Sequence, residues 1–172
     1  HRVNDTFVAV NRLLKAGAKV YWLKDPLEAG GKSYAAGTIW VPAAASAAGL
    51  LQKAAKELGL RIDGVPAAPK GLAFELGPVR IGLWDSYGGS MASGWIRWLL
   101  EQFEFPYELV FAPALDAGGL SDKFDVLIFV GGSIPRVQVP GQESRGGPRE
   151  SPPQAPANVP DEYKGRMGRI TA

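Results

Sequence analysis

Apolar residues at Val3, Phe7, Val10 and Leu14 form a helical stripe behind an Asn4 or Asp5 N-cap, and Gly17 closes it. The chain is therefore expected to open on an amphipathic helix packed against a core. Residues 19–23 (KVYWL) read as a strand that Asp25-Pro26 ends, because proline cannot donate to a ladder. Gly30-Gly31 makes a turn, and residues 32–34 and 38–41 are expected to pair as an antiparallel hairpin across 35–37, with Pro42 stopping the second arm. Ser46 is the expected cap of a second helix carrying Leu50, Leu51, Ala54, Ala55 and Leu58 at helical spacing and ending at Gly59. Residues 60–62 read as a short returning strand. Two prolines and two glycines in residues 64–71, followed by Gly77-Pro78, place a subdomain boundary within 64–78.

The pattern then alternates. Residues 79–84 (VRIGLW) read as a strand, and 92–103 as a helix with Trp95, Trp98, Leu99 and Phe103 on one side. Residues 107–111 (YELVF) form the next strand, a short crossover covers 113–124, and 126–130 (VLIFV) is apolar at every position, as in a parallel strand covered on both faces. Strand, helix, strand, short helix, strand begins a doubly wound α/β domain with right-handed crossovers. The expected fold class is thus α/β: a small α/β subdomain over 1–77, then a truncated parallel sheet over 78–172. From 131 to 160 the chain holds 5 Gly and 7 Pro in 30 residues, too little apolar surface to offset ordering, so a flexible Pro/Gly-rich loop is expected at about 133–159. A further helix is expected from Asp161, and the sheet to be cut before its next strand.

Composition narrows the chemistry. The 172 residues contain no Cys, which removes disulfides, thiolate metal sites and cysteine nucleophiles, and one His, His1, which cannot supply the usual imidazole pair of a catalytic metal centre. Charge is balanced at 13 basic and 13 acidic residues through position 130, and the net +2 comes from 6 basic against 4 acidic residues beyond it. That is no phosphate-binding stripe, so nucleic acid is not an expected partner. No apolar run approaches the roughly 20 residues of a membrane span.

Two glycine-rich turns are the candidate ligand site. Asp85, Ser86, Gly88, Gly89 and Ser90 follow the 79–84 strand at its carboxyl end, where open α/β sheets bind ligands and helix N–H groups receive anions. Gly131, Gly132 and Ser133 follow the 126–130 strand and would form the opposite lip of one crevice. Glycines with a Ser cap also serve simply to start a helix, and neither turn has the spacing of a phosphate loop. Of the carboxylates Asp85, Asp116, Asp122 and Asp125, the last two lie at the opposite end of the sheet from Asp85 and read as solvated loop residues. Trp95 and Trp98 read as core. Ser86 and Ser90 lie near a strand end but have no His base within reach, which argues against nucleophilic catalysis.

Residues 79–135 (VRIGLWDSYGGSMASGWIRWLLEQFEFPYELVFAPALDAGGLSDKFDVLIFVGGSIP) are similar to the class I glutamine-amidotransferase-like region of large bacterial M14-family zinc carboxypeptidase-like proteins. The stretches NDTFVAVNRLLKAGAKVYWLKDP and YAAGTIWVP resemble that family's segment between its peptidase and amidotransferase-like parts. The resemblance implies a flavodoxin-like sheet, a secreted or periplasmic setting, and a parent that hydrolyses peptides at the C-terminus. It implies zinc only in an upstream peptidase domain, on a His-x-x-Glu motif and a later His, none of which can be placed here. The amidotransferase-like fold would carry its Cys on a later elbow, and this chain has no Cys. The expected role is a non-catalytic accessory portion in intramolecular contact with the parent's peptidase domain, with no cofactor of its own. The alternatives are a small-anion or carboxylate-binding module at the two turns, and a true amidotransferase-type hydrolase in the parent.

Overall fold

The structure, a computed structural model, describes residues 4–130 and 159–167. It is mixed α/β, and its contacts divide the chain into two compact units: residues 1–79 with 99–106, and residues 80–98 with 107–172.

The first unit opens with helix α1 (Thr6–Lys15). Val10 and Leu13 face the core with Val20, whereas Phe7 is half exposed and stands against Phe105 with ring centroids 6.2 Å apart. Gly17 takes φ +72°, and the N–H groups of Ala18 and Gly17 donate to Leu13 and Leu14 O at 3.0 and 2.9 Å, closing the helix in a Schellman motif. Strand β1 (Val20–Leu23) follows, then β2 (Leu27–Ala29), β3 (Lys32–Tyr34), β4 (Ile39–Trp40), helix α2 (Ala45–Leu58) and β5 (Ala73–Leu76). β1 is the centre of an antiparallel sheet ordered β4-β1-β5, with Tyr21 opposite Trp40 and Trp22 opposite Phe74.

Three local expectations are corrected in this unit. The hairpin forms between β2 and β3, not between 32–34 and 38–41, because Gly30 and Gly31 both take positive φ and make the two-residue turn that matches strand twist. The 38–41 arm pairs with β1 instead. Helix α2 starts one residue before Ser46, with extended Ala44 at its N-cap, so Ser46 is not the cap. Residues 60–62 form no strand, and the returning strand is β5, in the apolar run just before Gly77-Pro78.

The second unit is built on a parallel sheet of β6 (Ile81–Trp84), β7 (Tyr107–Val110) and β8 (Val126–Ile128) in the order β7-β6-β8. Helix α3 (Met91–Gln102) follows β6, while helix α4 (Ala112–Asp116) and a 3-10 turn (Leu120–Asp122) lie between β7 and β8. Gly82 fits a filled sheet face: a Cβ there would stand 2.6 Å from Leu127 Cδ2 and 2.9 Å from Val110 Cγ2. The amino end of the sheet is tied by Arg80, whose guanidinium donates to Asp125 Oδ1 at 2.6 Å and to Asp122 O at 2.6 Å. The Asp125 N–H in turn donates to Arg80 O at 2.9 Å. Helix α5 (Asp161–Lys164) carries an ion pair between Lys164 and Asp161.

The tryptophans of α3 are not core. Trp95 is 63% and Trp98 52% exposed, meeting edge to face at 5.9 Å, while Ser93 and Leu100 are the buried positions of the helix. Ser93 and Leu100 lie on the face opposite the indoles, and a Ser allows the closer approach of that first turn. β8 is likewise more open than a strand covered on both faces, with Val126 exposed.

Candidate functional site

The order β7-β6-β8 puts the first strand of the unit in the middle, so the connections leaving β6 and β7 run in opposite directions across the sheet. With right-handed crossovers they pass over opposite faces, which makes the carboxyl ends of β6 and β8 a topological switch point, where α/β sheets open a crevice. The turn after β6 stands there. Gly131, Gly132 and Ser133 follow β8 in sequence and lie outside the described residues.

Asp85 continues β6 and is only 4% exposed. Its N–H donates to Val110 O at 3.0 Å, and its Oδ1 accepts the Ser86 N–H at 2.9 Å, so the side chain folds back under the turn it begins. Gly89 closes the turn, donating to Ser86 O at 2.8 Å, and Gly88 and Gly89 take φ +86° and +70°, which only glycine adopts without strain. A Cβ on Gly89 would stand 4.0 Å from Asp85 Oδ2, so the carboxyl group lies directly beneath. Ser90 Oγ accepts the Ser93 N–H at 3.0 Å and caps α3. Capping is thus a sufficient account of Ser90. The N–H groups of Tyr87 and Gly88 take no backbone acceptor among the described residues.

Two buried polar atoms adjoin this region without a hydrogen-bond partner among the described residues: the indole N–H of Trp84, at the end of β6, and Ser93 Oγ in the first turn of α3. A buried group left unpaired costs about 1–3 kcal/mol, so polar satisfaction here is incomplete.

Helix α5 adds residues that sequence reasoning missed. The Tyr163 ring lies 6.1 Å from that of Tyr87 in the turn, and the Arg166 guanidinium lies 4.9 Å from the Tyr163 ring and 5.6 Å from that of Phe111, which follows β7. The carboxyl edge of the sheet therefore carries three aromatic rings and a cation, the cation with no ion-pair partner among the described residues. The only signal was the aromatic-basic run 163–166 (YKGR), separated from the turn by a long Pro/Gly-rich stretch.

Asp122 and Asp125 lie at the other end of β6 in the Arg80 clamp, and the structure does not bring them to Asp85. The Arg80 guanidinium and N–H hold the Asp125 carboxyl down at about 2. Asp116 ends α4. Among the described residues no three His, Cys, Asp or Glu side chains gather to share a metal ion. No helix among them is long and apolar enough to cross a membrane. No protein-family model, curated protein or solved structure matches this chain.

Proposed function

We propose that this chain is a non-catalytic accessory portion of a larger M14-like zinc carboxypeptidase-like protein, its second unit the beginning of a flavodoxin-like, amidotransferase-like domain. The observation that carries this reading is the parallel sheet β7-β6-β8, formed by the very residues whose sequence resembles that region, with the first strand central. Its strand-end turn offers no nucleophile with a base: Ser90 Oγ is a helix cap, and the chain has no Cys and one His at position 1. The chemistry then belongs to the parent's peptidase domain, and this portion supports that domain or shapes access to it. In the intact protein, Asp85→Asn and Ser90→Ala should leave kcat for release of a C-terminal residue unchanged. A fall of about a hundredfold or more in a folded variant, the size of a lost acid or base, would assign catalysis to this turn instead.

A second reading is favoured by Arg166. A cation and aromatic rings at the carboxyl edge, with N–H groups at Tyr87 and Gly88 that take no backbone acceptor among the described residues, suit a small carboxylate or other anion. The Asp85 carboxyl beneath the turn opposes a fully charged anion and favours a ligand that also brings a donor, such as a hydroxy acid. Titrating lactate and phosphate separately while following the amides of 86–90 separates the two cases. Saturable shifts abolished by Arg166→Ala support the site, and unmoved amides reject it.

A further inference from the structure

The first unit contains an open cavity of about 1070 Å³, just above the roughly 300–1,000 Å³ of small-molecule sites. Its walls come from most elements of the unit: Val10 and Leu13 of α1, Leu23 of β1, Trp40 of β4, Leu51 of α2, and the run 60–68 beyond that helix. Val10 and Leu13 also belong to the hydrophobic core, so the floor of this open cavity is the packed core itself.

Polar groups collect at one place on this wall. The carboxylate of Asp63 accepts the Lys32 ammonium at 2.6 Å and the Tyr34 hydroxyl at 3.2 Å, which ties the β2–β3 hairpin to the 60–68 run. Arg61 pairs with the same carboxylate, Nε to Oδ2 at 3.4 Å, and its side chain is 76% exposed. Lys32 and Arg61 thus share the single Asp63 carboxylate, which leaves the cluster with one positive charge in excess. The planar fork of Arg is matched by a carboxylate, which takes two parallel hydrogen bonds from it.

We propose that this cavity binds a small amphipathic carboxylic acid, its hydrocarbon body among Trp40, Leu51, Leu60 and Val65 and its carboxylate on Arg61. Charge decides the class. A neutral apolar ligand would fill the walls but leave Arg61 unused, and an ammonium would set like charge against Lys32 and Arg61. The site lies wholly within the first unit and does not depend on the accessory role proposed above.

The test uses the whole chain and dodecanoate below its micelle concentration, followed by calorimetry and by the fluorescence of Trp40 against a Trp40→Phe blank. Saturable one-to-one binding is expected, with dodecanol and dodecylammonium each about tenfold weaker or worse, the size of a lost charge-assisted pair. Arg61→Ala, at an exposed position, should weaken dodecanoate by the same factor without moving the thermal midpoint. Ala43→Trp, which places an indole at the wall, should abolish binding. No saturable binding, equal affinity for dodecanol, or an Arg61→Ala variant that binds dodecanoate as tightly as the parent would each overturn the proposal.

Discussion

Replacing Gly82 by Ala tests whether the parallel sheet is packed as described. The added methyl would stand 2.6 Å from Leu127 Cδ2, 2.9 Å from Val110 Cγ2 and 3.1 Å from Phe124 Cγ. The Leu127 methyl ends a side chain that can swing away. Val110 cannot yield so easily: it is β-branched, buried in β7, and held in register through the pairing of Trp84 with Val110. Overpacking of this kind costs about 1–3 kcal/mol, while replacing a strand glycine by Ala regains about 0.5–1 kcal/mol of chain entropy. The net loss is about 1–2 kcal/mol, and hydrogen exchange at the amides of Leu83 and Leu109 should accelerate roughly 5- to 30-fold. Because these amides report β6 and β7 themselves, the reading does not require the two units to unfold together. Gly94→Ala is the control, since a Cβ there meets nothing within 4 Å and the helix should gain about 0.5–1 kcal/mol. In a double-mutant cycle, Val110→Ala should recover about 1 kcal/mol of the Gly82→Ala loss. Unchanged exchange in Gly82→Ala, or no coupling to Val110, would refute the packing argument.

Three further outcomes follow from the geometry. Glu104 sits at φ +57° where α3 ends in a Schellman motif, a place that favours glycine, and Arg12 holds its carboxylate at 2.7 Å. In denaturant melts Glu104→Ala should lose up to about 1 kcal/mol, because the ion pair goes and the strain stays, whereas Glu104→Gly should equal or exceed the parent; Ala matching Gly would contradict this. The Asp125 carboxyl, held at about 2 against an ordinary 3.8, gives stability that is complete above pH 3.8 and is lost as pH falls toward 2. An NMR titration should show that midpoint, and Arg80→Ala should move it up toward 3.8; a parent midpoint already near 3.8 would count against the clamp. Trp95→Ser and Trp98→Ser should each cost about 1–2 kcal/mol in equilibrium denaturation, below the roughly 3–5 kcal/mol of a core indole.

Much of the second unit was legible because its signals are local and agree with one another. The apolar runs around Ile81 and Val126, separated by one long and one short connection, suffice for parallel pairing, and the structure pairs Ile81 with both Tyr107 and Val126. Gly17 as a helix stop was legible for the same reason. The hairpin was misread because two turns competed, and only the positive φ of both Gly30 and Gly31 decides between them. The tryptophans were misplaced because a strong apolar stripe says which face of a helix is greasy, not which face the preceding turn directs inward. At the candidate site, Asp85 and the two glycines could be found from the strand-turn-helix pattern. Arg166 and Tyr163 could not, since nothing local connects them to a turn more than seventy residues earlier. The cavity beside Asp63 was invisible for a similar reason: it arises from how α1, α2 and the hairpin enclose space, which no single segment encodes.

The central claim, that this α/β chain carries no hydrolytic chemistry of its own, is tested most directly by incubating the purified chain with peptides bearing free C-termini, with and without added zinc, and quantifying released amino acids by mass spectrometry. No release above a protein-free blank is expected at either condition. Zinc-dependent turnover that scales with chain concentration would contradict the account.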